Sequence, residues 1–178
     1  MTWDTFHRRG EVLRAVVDAT EARRDGVLPM EMPGVAETFG DELTLIGALQ
    51  LRWHTRLAGS IERELMDQPM DLESAVMAAW RRTATEMAGV RRILDAYADA
   101  PTSEQMARTL TKAHRKDWAL MASMAGKASP SDRAAADVGR SIEERARAAY
   151  RPVPVGRHRA DNAEKAPLLH RIKAHLAA

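Results

Sequence analysis

Six histidines, 25 carboxylates and no cysteine bound the chemistry open to this chain. Without a thiol there is no cysteine nucleophile, no disulfide and no cysteine-ligated zinc or iron–sulfur cluster. A di-iron site inside a helical bundle needs Glu-x-x-His pairs, which set two ligands one turn apart on an inward face. The residues three before His54, His114, His158, His170 and His175 are Leu51, Thr111, Val155, Pro167 and Ile172. Only His7 follows an acid at that spacing, Asp4, beside the chain terminus. No His-x-x-x-His pair falls on a bundle helix, and His170 and His175, five apart, point in different directions. The sequence also lacks Gly-x-Ser-x-Gly, Gly-x-Gly-x-x-Gly and a phosphate loop. Ser60 and Ser123 read as small packing residues. No metal or cofactor is expected from these patterns.

What remains is a trio. His54 borders an apolar stripe between Gln50 and Leu57, His114 lies one turn from both Leu110 and Trp118, and Glu86 sits between Thr83 and Val90. If their three helices surround one cavity, two imidazoles and a carboxylate converge, with Trp53 and Trp118 beside them, as a small-molecule or metal-binding site or a proton shuttle. The competing reading makes each a boundary residue satisfied by a backbone carbonyl or by water. Tryptophan occurs once in each of the first four helical segments (Trp3, Trp53, Trp80, Trp118), a pattern that fills a core more simply than it builds an aromatic box.

The elements that would position this trio are helical. The chain holds 32 alanines against 15 valines and isoleucines, and nothing alternates apolar with polar for a strand's length. The first helix carries Phe6, Gly10, Leu13, Val17 and Thr20 and ends at Gly26; a loop with Pro29 and Pro33 follows. The second runs from Phe39 through Trp53 to Leu65. Asp71 caps a third whose apolar residues, Val76, Trp80, Thr83, Met87, Val90, Leu94 and Tyr97, follow the four–three spacing of antiparallel bundle packing. Thr102 and Gln105 stand in capping-box register before the fourth, which carries Met106, Leu110, Leu120 and Met124. Ser129-Pro130-Ser131-Asp132 opens a fifth with a thinner stripe of small residues (Ala135, Val138, Ile142, Ala149). The expectation is an all-α fold: an antiparallel four-helix bundle with an additional fifth helix and a basic C-terminal tail.

Three stretches follow from composition. Residues 1–150 form the bundle, 151–166 an extended linker broken by Pro152, Pro154 and Gly156, and 167–178 a short basic amphipathic helix. The formal charge of +2 conceals an asymmetry, because residues 151–178 hold 6 basic against 2 acidic residues and the rest holds 21 against 23. A helix of about eleven residues holds only when docked. The leading functional expectation is therefore a non-enzymatic interaction module. Leu169, Ile172 and Leu176 would insert into a groove on a protein partner or a second copy of the chain. Arg157, Arg159, Arg171 and Lys173 would steer the approach or touch a nucleic-acid backbone. Met77, Met87, Met106, Met121 and Met124 supply adaptable apolar surface for such contacts or fill core gaps. Basic pairs such as Arg81-Arg82 and Arg115-Lys116 read as solvated faces, and residues 102–122 contain no turn for a helix-turn-helix. No apolar run spans a membrane and no signal peptide opens the chain, so the expected address is the cytoplasm.

Overall fold

The residues that periodicity groups into five helices form seven in the computed structural model, which describes residues 3–67, 69–129 and 131–151. They are α1 (Trp3–Arg23), α2 (Val35–Phe39), α3 (Glu42–Met66), α4 (Leu72–Glu86), α5 (Ala88–Asp99), α6 (Glu104–Met124) and α7 (Ala135–Ala148). Among the described residues there is no strand, and no helix is long and apolar enough to cross a membrane.

One of the two additional helices has a local cause and the other a long-range one. Phe39 belongs to the short α2 rather than to the long second helix, because Asp41 caps α3 by accepting the Thr44 N–H at 2.7 Å. The expected third helix breaks at Met87, where φ is −125° and ψ is 42°. Just beyond the break Gly89 lies against α1 so closely that a Cβ would stand 2.0 Å from the Thr20 carbonyl oxygen. Glu21 of α1 accepts the N–H groups of Gly89 and Val90 at 2.9 and 3.2 Å. A carboxylate thus satisfies the free donors at the start of α5, where Met87 provides no side-chain cap. The apolar stripe survives the break, with Val76, Trp80, Thr83, Met87, Val90 and Leu94 all buried.

Two helix starts also differ from expectation. Ser103, not Thr102, caps α6 by accepting the Met106 N–H, while the Thr102 hydroxyl donates to Glu42. Helix α7 begins at Ala135 instead of near Ser131, because the exposed Asp132 bends the chain into a turn by accepting the Ala134 N–H at 2.8 Å.

Helix α3 packs on α4, α4 on α7, α7 on α6 and α6 on α3, closing a ring; α1 lies on α5 and α2. The segment expected as an accessory fifth helix is thus part of the ring. Its small residues explain the close approach: a Cβ on Gly139 would stand 1.7 Å from the Trp118 carbonyl oxygen of α6. The core takes Trp53 and Trp80, edge to face at 6.1 Å, and also Met87, Met106 and Met121. Those three methionines fill the interior, so they are not surface for a partner.

Glycine gives a direct check on this packing. Gly139→Ala forces α6 and α7 apart and should lower stability by roughly 1–3 kcal/mol. Gly47→Ala in α3, where an added Cβ meets nothing within 4 Å, should raise it by roughly 0.5–1 kcal/mol. Urea melts of the two variants check the pair of opposite signs.

Candidate functional site

Gln50 and His54 are four apart on α3 and therefore share a face, which is turned toward α6. There the two side chains grip Asp117, a carboxylate only 3% exposed. Gln50 Nε2 donates to Asp117 Oδ2 at 2.9 Å, and His54 Nδ1 lies 2.6 Å from Asp117 Oδ1. An ionised carboxylate only accepts, so Nδ1 carries the proton and Nε2 is the ring's remaining nitrogen. The hydrogen bond to Asp117 raises the His54 pKa above its ordinary 6.5, against burial and the positive charge of Lys116. Gln50 Oε1 is buried without a partner.

These residues line a groove of about 480 Å³ between α3 and α6. Its walls are Ile46, Leu51, Leu110 and Ala113, and its rim carries Lys112 and Lys116. Gly47 leaves the floor open, and Leu51 forms an exposed lip. His54, Lys112 and Lys116 line this groove beside one carboxylate, Asp117, whose oxygens are already engaged by Gln50 and His54, so basic groups gather at one side of the apolar walls.

The expected trio does not meet. His114, although on α6, faces a different hollow with Trp118, Asp95, Glu143 and Arg147. Its Nε2 lies 3.5 Å from Arg91 Nη2, and its ring centroid 5.8 Å from that of Trp118. Burial, then the Arg91 charge, holds its pKa below 6.5. Glu86 pairs with Arg56 on a third surface, among Val17, Arg52 and Met87. Trp53 is buried beneath the Arg91 guanidinium, 4.7 Å from the ring centroid, and lines no groove with His54. Trp118 donates its indole N–H to Glu143. Of the five candidate ligand-binding residues His54, His114, Glu86, Trp53 and Trp118, only His54 lines the α3–α6 groove.

Asp117 and Gln50 are the residues that sequence reasoning missed. The signal was there: Asp117 lies seven after Leu110 and four before Met121, a charged residue in phase with a core stripe. Gln50 precedes His54 by one turn.

A second polar cluster holds the hollow around His114 rigid. Arg91, 6% exposed, pairs with Asp95 at 2.7 Å. Asp95 also receives both terminal nitrogens of Arg147, at 2.9 and 3.1 Å. Arg147 pairs in turn with Glu143 and lies over Trp80, 4.9 Å from its centroid. Burial works against ionisation of Asp95, but Arg91 and Arg147 outweigh it and keep the carboxyl below its usual range. Among the described residues no group of three or more potential ligands could hold a metal ion.

The expected partner-binding residues Arg157, Arg159, Leu169, Arg171, Ile172, Lys173 and Leu176 lie outside the described residues. Comparison with protein-family models, with curated proteins and with solved structures finds no match to this chain.

The two imidazoles predict opposite pH effects. His54 binds its proton more tightly when folded, so its contribution is present below pH 6.5 and is lost as pH rises through the raised value. His114 binds its proton less tightly, so its contribution is present above pH 6.5 and is lost as pH falls toward the lowered value. In melts from pH 5.5 to 8, His54→Gln should therefore leave a protein that gains stability with pH, and His114→Gln one that loses it.

Proposed function

We propose that this chain is a non-enzymatic helical binding module whose α3–α6 groove takes a small organic acid with an apolar body. The ring of α3, α4, α7 and α6 is read as an antiparallel four-helix bundle, with the groove on its outside rather than in its core. The observation that carries the proposal is the buried Asp117 that orients His54 by its Nδ1, and favours its protonated form, at the edge of an apolar trough.

The chemistry runs as follows. The ligand's apolar body lies along Ile46, Leu51, Leu110 and Ala113, and its burial supplies most of the affinity at about 25 cal/mol per Å². Its anionic head accepts from His54 Nε2–H and pairs with Lys112 or Lys116, charge-assisted contacts that select acids over neutral analogues. Asp117 stays out of contact and acts through the imidazole: it fixes the tautomer and supplies the counter-charge. Among the described residues His54 has Asp117 as its hydrogen-bond partner and its Nε2 is left to meet a ligand.

Three probes with one tail test the reading: octanoate, octanol and octylammonium, followed by calorimetry at pH 6. Octanoate should bind best. His54→Gln should weaken it about tenfold, in line with one hydrogen bond to a charged group, and Gly47→Leu should block it by filling the floor. Equal binding of octanol, or octanoate binding unchanged by Gly47→Leu, would defeat the proposal.

A further inference from the structure

The outer face of α6 carries more positive charge than the helix can use. Arg108, Lys112 and Lys116 follow one another at intervals of four, and Arg115 stands beside them. Like charges at that spacing repel along a helix. The only exposed acid on α6 is Glu104, which pairs with Arg108, because the other acid is the buried Asp117. Among the described residues Lys112, Arg115, Lys116 and Arg133 form no ion pair. Arg133, on the approach to α7, faces α6 across a shallow trough of about 680 Å³. Asp132 is the other acid there, and one of its oxygens already accepts the Ala134 N–H.

We infer that this trough is a docking surface for the phosphodiester backbone of a nucleic acid, read without regard to base sequence. Successive cations on the α6 stripe rise about 6 Å apart along the axis. They present a straight row of positive charge to a straight row of phosphates. Between them the trough is lined by Ala107, Thr111, Ala119 and Ala136, small side chains that let a backbone approach. No aromatic lines it, so bases have nothing to stack on and contact falls to phosphate alone. An anionic membrane fits less well. Of the exposed large apolar residues among those described, Val27, Leu51, Met66, Met70 and Leu72, none lines the trough. Leu51 stands across the Lys112–Lys116 ridge, in the organic-acid groove, so the trough itself offers no large apolar side chain to insert between lipids. The surface is separate from the organic-acid groove: Arg115 and Arg133 belong to the trough alone, although Lys112 and Lys116 stand on the ridge between the two.

The test uses the full chain and two fluorescent 20-base-pair DNA duplexes of unrelated sequence, titrated by anisotropy from 50 to 300 mM salt. Both duplexes should bind alike, with log K falling linearly against log salt. Lys112→Gln/Arg115→Gln/Lys116→Gln should flatten that slope by about 2.7, at roughly 0.9 per lost phosphate contact. Lys112→Arg/Lys116→Arg should retain it. Arg8→Gln/Arg14→Gln/Arg52→Gln, which removes the same charge from α1 and α3, should leave it nearly unchanged, and circular dichroism of each variant confirms the fold. The inference is overturned if the two triple variants weaken binding equally, if the α6 triple has no effect, or if vesicles with anionic lipid bind the chain while duplex DNA does not. Arg115→Glu/Arg133→Glu should abolish the duplex contribution of the trough and leave octanoate binding intact, so the two sites fail or stand separately.

Discussion

A carboxylate placed between two helices must be neutralised or hydrogen-bonded on both oxygens, since an unpaired buried charge costs several kcal/mol. Asp117 is in that position. With 3% of its surface exposed, it takes one hydrogen bond from Gln50 and one from His54, and these join α3 to α6. The constraint reaches beyond the pair. Holding the His54 ring by Nδ1 fixes its plane, leaves Nε2 uncommitted, and shifts its titration toward the protonated form. The selectivity for acids that we propose for the groove would follow from how this buried charge is satisfied.

The rest of the fold keeps α6 where this contact needs it. Helix α7 lies so close that Gly139 admits no side chain, and the Trp118 indole is tied to Glu143 of α7. The chain of Arg91, Asp95, Arg147 and Glu143 links α5 to α7, with each guanidinium lying over a tryptophan. Tyr150 closes the end of α7 by packing against Trp80 at 6.0 Å and donating to the Ala84 carbonyl oxygen. Two of the tryptophans therefore serve as apolar core and as platforms for cations at once.

Much of this architecture could be read from the sequence. Alanine content, caps and the four–three stripe determine helices at nearly the right places, and the buried residues of α4 and α5 match the stripe on both sides of Met87. The break itself was hidden, because its cause is Gly89 meeting Thr20 across some seventy residues of chain. The site was half legible. His54 drew attention through its boundary position, but its partner lies on another helix 63 residues away. The grouping with His114 and Glu86 assumed a common cavity, whereas His54 reaches Asp117 of α6, Glu86 of α4 pairs with Arg56, and His114 faces a third hollow. Of the α6 cations, Arg115 and Lys116 were visible as a basic pair and read as a solvated face; that no acid of α6 is left to match them depends on Asp117 being buried and Glu104 pairing with Arg108.

Histidine NMR measures the central interaction most directly. In a 15N-labelled chain titrated from pH 4 to 9, His54 should keep its proton to higher pH than a free imidazole, with Nδ1–H shifted by a strong hydrogen bond, and Asp117→Asn should bring its midpoint down. A His54 midpoint at or below 6.5 that does not respond to Asp117→Asn would contradict the account.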